Sequence, residues 1–166
     1  FTPWLHGNRN PFEDPNARGM FFNLGLETTV ADMMHAVIEG VCMHLRWQMT
    51  AMNKLTPISE IVKFVGGGAR TPAICQILSD VLGKPVETVD SPHNVGSVGA
   101  AAIIATGLGV FDSIEDIGNN IPVSASYEPQ ARNAKVYNEI FGIFQDLYKN
   151  NKKNYSYILW YYHLSI

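Results

Sequence analysis

The sequence predicts an α/β domain with a parallel sheet, and three observations predict it. A short apolar strand, Ile61–Val65, runs into Gly66, Gly67 and Gly68, then into a helix and a second strand. Strand-like and helix-like segments alternate along the chain, an order that favours parallel strands joined by helical crossovers. The composition is globular, with 46% hydrophobic and 16% charged residues among 166.

Each element has its own signal. Residues 1–19, rich in Pro, Gly and Asn and without an apolar period, read as loop. Met20–Leu24 reads as a short strand or a sheet edge. Thr29, with Asp32 three positions on, opens a long helix by a near capping box. Val30, Met33, Met34, Val37, Ile38, Val41, Leu45 and Met52 recur at helical spacing and predict its buried stripe, with an end near Asn53. After the glycines, Thr71 is placed to cap a helix whose first position holds Pro72, where a missing N–H costs nothing. Ile74, Ile77, Leu78, Val81 and Leu82 form the apolar face of that helix. Gly83 fits the position just past its end, and Pro85 begins the strand Pro85–Thr88. Val95–Thr106 is a helix of small residues suited to close packing, stopped by Gly107. Residues 108–130 read as mostly irregular, and a last helix runs from Ala131 to about Asn150. No linker divides the chain.

Bulk properties exclude several function classes. A net charge of -3 and the absence of a basic cluster beyond Lys149–Lys153 argue against a nucleic-acid partner. No run of 18 apolar residues is present, so no membrane span is expected. Cys42 and Cys75 lie inside apolar helical patterns and read as buried thiols of a reducing compartment, which implies a cytoplasmic location. No metal site is expected: His35 and Glu39 share a helix face without a third ligand at suitable spacing. No Ser sits in a nucleophile elbow. The chain opens Phe1-Thr2-Pro3, without Met, and reads as beginning in the middle of a longer protein.

The glycine loop carries the chemistry. Consecutive glycines let a ligand approach the backbone with no Cβ in the way. The following helix aims free N–H groups and the positive end of its dipole at the same spot, which suits a nucleotide phosphate. Gly66 and Gly68 fit a Rossmann fingerprint, Thr71 stands where its third glycine belongs, and Glu87 or Asp90 would serve as its ribose-binding acid. A Walker A loop is excluded because no Gly-Lys-Ser/Thr follows. A Rossmann-type dinucleotide-binding fragment therefore stays open.

The segment VGGGARTPAICQILSDVLGKPV resembles the adenosine-contacting motif of the FGGY carbohydrate kinases, members of the actin-like ATPase superfamily. TPWLHGNRNPFEDPNARG is similar to that family's loop of the form G-E-R-x-P-x-x-D-P-x-A-R-G. GMFFNLGLETTVADMMHAVIEG is similar to its second signature, and SPHNVGSVGAAAIIATGLGVF to the segment after the nucleotide loop. The wording is closest to xylulokinase-like members. Asn8 replaces the loop's usual Glu, Glu13 a common aromatic residue, and Asn23 a usual glycine.

The resemblance implies a partial ribonuclease-H-like (actin-like ATPase) α/β domain with C-terminal helices. Residues 1–154 correspond to the C-terminal, nucleotide-binding part of the second kinase domain, and residues 155–166 to an aromatic tail of unknown role. It implies ATP-dependent phosphorylation of a ketopentose such as xylulose, or a related sugar or sugar acid, by the full-length protein, with a non-catalytic actin-like nucleotide-binding domain as the alternative. Mg2+ would be held through the ATP phosphates. Gly67 and Gly68 would lie against the adenosine and α-phosphate, Ala69 and Pro72 would wall the adenine slot, and Gln76 would face it. The catalytic base lies upstream of this segment, so no catalytic residue is expected here; Asp14, Asp32 and Glu39 read as structural. The tail YSYILWYYHLSI is too apolar to stay free in water and is expected to pack on its own domain or to pair with a second copy as a homodimer.

Overall fold

The computed structural model describes residues 1–118 and 121–164, with the side chains of residues 115, 118 and 159–164 outside the description. The chain forms two compact units. One comprises Phe1–Ile58, Asp80–Leu82 and Gln130–Ile166, the other Ser59–Ser79 and Gly83–Pro129. Because the units interleave along the sequence, no single linker marks the division.

The first unit is built on two helices, α1 (Val30–Met52) and α5 (Ala131–Leu164), with the N-terminal loop laid over them. The expected capping box forms: Thr29 Oγ1 accepts from the Asp32 N–H and the Asp32 carboxylate accepts from the Thr29 N–H. The buried face of α1 differs from the expected stripe. Gly40, Cys42 and Met43 are buried, whereas Val30, Met34, Val41 and Met52 are exposed, Val30 by 74%. The approach of the N-terminal strand of chain sets this rotation, since a Cβ at Gly40 would run into the Phe1 carbonyl oxygen. Met20 joins only an isolated antiparallel bridge with Thr2, so the strand expected at Met20–Leu24 is absent among the described residues.

Aromatic packing fixes the loop. Trp4 is 2% exposed, lies edge-on to Phe12 and Tyr148, and donates from Nε1 to His44 Nδ1 at 3.3 Å. Phe12 stacks on Tyr148 with ring centroids 3.5 Å apart. Tyr155 closes the cluster against Trp4 and is buried. Helix α5 thus continues well beyond Asn150, through the polar run 149–154, where no Gly or Pro interrupts it. The backbone of the aromatic tail is helical to Leu164, while the side chains from Leu159 onward lie outside the described residues. No described helix is long and apolar enough to cross a membrane.

The second unit holds a three-stranded sheet, β1 (Val62–Lys63), β2 (Val86–Val89) and β3 (Val123–Tyr127), in the order β1-β2-β3. Strands β1 and β2 are parallel, with Val62 opposite Val86, as expected. Strand β3 falls inside the stretch read as irregular and pairs antiparallel to β2, so the sheet is mixed. Helix α2 (Pro72–Leu82) joins β1 to β2 and buries Cys75, Leu78 and Val81. It ends at Gly83, which takes the left-handed conformation at φ 64°. Helices α3 (Val95–Gly107) and α4 (Ile114–Gly118) follow β2.

Candidate functional site

The three glycines after β1 are structurally distinct. Gly66 holds φ 95° and ψ -170°, a region open essentially to glycine alone, and its N–H donates to the Pro92 carbonyl at 2.8 Å. Gly67 is exposed, and a Cβ built on it would meet nothing within 4 Å. Gly68 faces its own strand: a Cβ there would lie 3.1 Å from Phe64 Cζ. Open backbone is therefore presented at Gly67, while Gly66 makes the turn and Gly68 admits the Phe64 ring.

Residues Gly67–Arg70 form one 3-10 turn, with Ala69 buried beneath it and the Ala69 carbonyl accepting from Cys75 Sγ at 3.6 Å. Burial pushes the Cys75 thiol up from its ordinary pKa, which keeps it protonated and inert. Thr71 is the N-cap residue of α2 by backbone geometry, and its carbonyl accepts from the Ile74 and Cys75 N–H groups. Its side chain makes no capping hydrogen bond, contrary to expectation. The first turn of α2 thus carries no side-chain cap, and Pro72 at its first position is exposed beside the loop.

Gln76 lies one turn further on. Its Nε2 donates to the Glu128 carbonyl at 2.9 Å, tying α2 to the segment after β3. The buried Ser79 hydroxyl lies within hydrogen-bond reach of the Lys84 carbonyl at 2.9 Å and of the Tyr127 carbonyl in β3 at 2.8 Å, its one proton shared between them. Glu87, one of the two acids considered for a ribose, pairs with Lys63 across β1 and β2 at 3.0 Å. Asp90, the other, lines a cleft of about 360 Å3 beside the glycine loop, bounded also by Ala69, Pro72, Thr88 and Tyr127. This cleft was not foreseen, because its far wall is β3. The signal available was Val123 and Tyr127 bracketing a short alternating run, VSASY.

Three carboxylates elsewhere, Asp14, Asp32 and Glu39, are engaged in the fold. Asp14 is buried, accepting from the Asn16 N–H at 2.9 Å and the Tyr148 hydroxyl at 3.2 Å. Asp32 caps α1. Glu39 accepts from the Tyr137 hydroxyl at 2.9 Å and meets His35 at 3.2 Å on the surface of α1. Among the described residues, no group of three or more His, Cys, Asp or Glu side chains is placed to hold a metal ion. The sequence departures also find local roles. Asn8 Nδ2 donates to the carbonyls of Asn10 and Phe12, bracing the loop. Asn23 adopts φ 64°, the left-handed conformation for which Asn is the usual substitute for glycine.

Residues 1–108 match the model of the FGGY family of carbohydrate kinases, C-terminal domain, and the chain belongs to that family. A xylulose kinase from Staphylococcus epidermidis is 32% identical over 155 residues, covering 92% of this chain and 31% of the relative. A glycerol kinase from Myxococcus xanthus is 33% identical over 135 residues, covering 80% and 27% respectively. Among solved structures, a ligand-bound xylulose kinase from Lactobacillus acidophilus superposes with a TM-score of 0.84 at 24% identity, covering 94% of this chain and 32% of that one. This likeness shows the fold, part of an actin-like ATPase α/β domain. The chain spans about a third of the length of the relatives it matches, 31% of the Staphylococcus protein.

Proposed function

We propose that the full-length protein transfers the γ-phosphoryl group of ATP to a hydroxyl of a sugar, a ketopentose such as xylulose or a related sugar or sugar acid, and that this chain supplies the adenosine platform. One observation carries the second half of that reading: Gly67 offers open backbone beyond β1, beside the start of α2. A nucleotide can therefore lie against the main chain where any side chain would stand in its way. The α2 start adds the positive end of its dipole, and Thr71 does not occupy that end with its own side chain. Gly67 and Gly68 form the floor, Ala69 and Pro72 one wall, and Gln76 holds α2 in place behind them. Mg2+ would arrive with the ATP phosphates and neutralise charge during transfer. The general base belongs to a part of the protein upstream of these residues.

Support for a sugar substrate comes from the family and from the names of its relatives, which include xylulose, glycerol and gluconate kinases. The test is sugar-dependent ADP release by the full-length protein across a panel of pentuloses, glycerol and sugar acids. Turnover with one of them, and none with the 166-residue chain alone, is the expected result. ATP binding without turnover on any sugar would instead favour a non-catalytic actin-like protein. Turnover by the isolated chain would overturn the division of labour proposed.

A further inference from the structure

His44 is a half-buried imidazole that the proposed phosphoryl transfer does not use. It lies on α1 against Trp4 of the N-terminal loop, with ring centroids 6.4 Å apart. The Trp4 indole can only donate, so its hydrogen bond to Nδ1 at 3.3 Å fixes the tautomer. Nδ1 carries the lone pair and Nε2 the proton. The Gln48 side-chain amide, one turn on, lies 3.1 Å from Nε2 and 3.3 Å from the Asn10 carbonyl. One ring thus meets the loop directly at Trp4 and, by way of Gln48, at Asn10.

Both contacts border one cleft. It has a volume of about 520 Å3 and is lined by His6, Asn8, Arg9, Asn10 and Glu13 of the loop and by Gln48 of α1. Trp4 is the deep anchor of that loop, 2% exposed and edge-on to Tyr148. Among the described residues, His44 is the one hydrogen-bond acceptor for the indole N–H. A buried N–H stripped of its acceptor costs the desolvation of that group.

Nothing around the ring favours a second proton. The groups that face it are neutral: Trp4 from the loop and Gln48 from its own helix. Helix α5 packs Phe144, Tyr148 and Tyr155 on Trp4, and burial holds both tyrosines in their neutral form. The buried carboxylate of the loop, Asp14, is taken up by the Asn16 N–H and the Tyr148 hydroxyl. Burial pushes His44 below its ordinary pKa. A protonated ring would also set a second N–H against the Trp4 N–H, donor facing donor.

We propose that His44 is an acid-sensitive latch on the N-terminal loop. Neutral, it fastens Trp4 to α1 and keeps Asn10 beside Gln48. Protonated, it gives up Trp4, and the loop loosens together with the cleft wall it forms. Because the folded pKa is lowered, the fastening is complete above about pH 6.5, the value of a free imidazole. It is lost as pH falls through the lower folded value.

Hydrogen–deuterium exchange of the full-length protein tests this, read by mass spectrometry and corrected for the intrinsic exchange rate at each pH. Between about pH 7.5 and about pH 5, protection of residues 1–19 should fall about tenfold, the worth of one hydrogen bond, while peptides from β2 keep theirs. His44→Asn keeps a neutral acceptor on the Nδ1 side and should make the protection of residues 1–19 independent of pH over that interval. Trp4→Phe removes the donor, so protection should already be lower at pH 7.5 and fall less on acidification. His6→Asn changes the exposed imidazole of the same loop and should leave the fall intact. Constant protection of residues 1–19 in the unaltered protein would overturn the latch, whatever the variants do. So would a fall that survives His44→Asn, a fall that His6→Asn abolishes, or an equal loss in the β2 peptides, which would mark general acid unfolding.

Discussion

Three adjacent glycines should give three different outcomes when each is replaced, because each is glycine for a different reason. Gly66 sits at φ 95°, ψ -170°, where an L side chain is strained whatever the space around it. Gly66→Ala should cost about 1–3 kcal/mol. For a chain of this size that is a fall in melting temperature of about 3–9 °C. At Gly68 the new Cβ lies 3.1 Å from the end of the Phe64 ring, which can turn aside by a few tenths of an ångström. Gly68→Ala should therefore cost less, below about 1 kcal/mol. At Gly67 nothing lies within 4 Å, and Gly67→Val should stay within about 0.5 kcal/mol of the parent. Binding should run the other way: Gly67→Val loses at least about tenfold in ADP affinity because its side chain fills the approach. Thermal melts and ADP titration of the three variants measure both axes. Equal destabilisation at all three positions would refute the assignment of separate roles. Full ADP affinity in Gly67→Val would refute the placement of the ligand.

Other outcomes follow from single contacts. Gly40→Ala should destabilise the chain by about 1–3 kcal/mol, because its Cβ meets the Phe1 carbonyl oxygen; a melting temperature equal to the parent's would show that the N-terminal segment does not cross α1 there. Asn23→Gly should be neutral or slightly stabilising and Asn23→Ala should cost about 1 kcal/mol, since φ 64° disfavours a Cβ without a local hydrogen-bonding group; melts of the pair rank them. Tyr148 is pushed up to about 12, first by burial and then by the Asp14 carboxylate, and Tyr137 is raised in the same direction by burial and Glu39. Raised tyrosines stabilise the fold fully below about pH 10, their unfolded value, and that stability is lost as pH climbs toward 12. Unfolding free energy measured from pH 8 to 12 should fall above 10, and Tyr148→Phe should flatten that fall.

What could be read from the sequence was what local chemistry decides. The Thr29–Asp32 box, the strand before the glycines, Pro72 at the start of α2 and Gly83 at its end each act within a few residues, and all appear in the structure. Apart from the Thr71 side chain, which makes no capping hydrogen bond, the misses are tertiary. An apolar period says that α1 has a buried side but not which one, and the close pass of Phe1 over Gly40 chose a different rotation. Strand β3 carries Ser124 and Ser126 between its apolar residues, so only its pairing with β2 makes it a strand. Helix α5 outruns its apolar stripe because Tyr148 and Tyr155 are held by Trp4, which lies more than 140 residues earlier in the chain. The candidate site divides in the same way. The glycine loop was legible, whereas the cleft beside it required β3 and the left-handed Ser91 to exist first.

Steady-state kinetics of the full-length protein carrying Gly67→Val test the central claim most directly. If this chain is the adenosine platform of a sugar kinase, KM for ATP should rise at least about tenfold, while KM for the sugar stays at the parent's value. An unchanged KM for ATP, or an effect on the sugar alone, would contradict it.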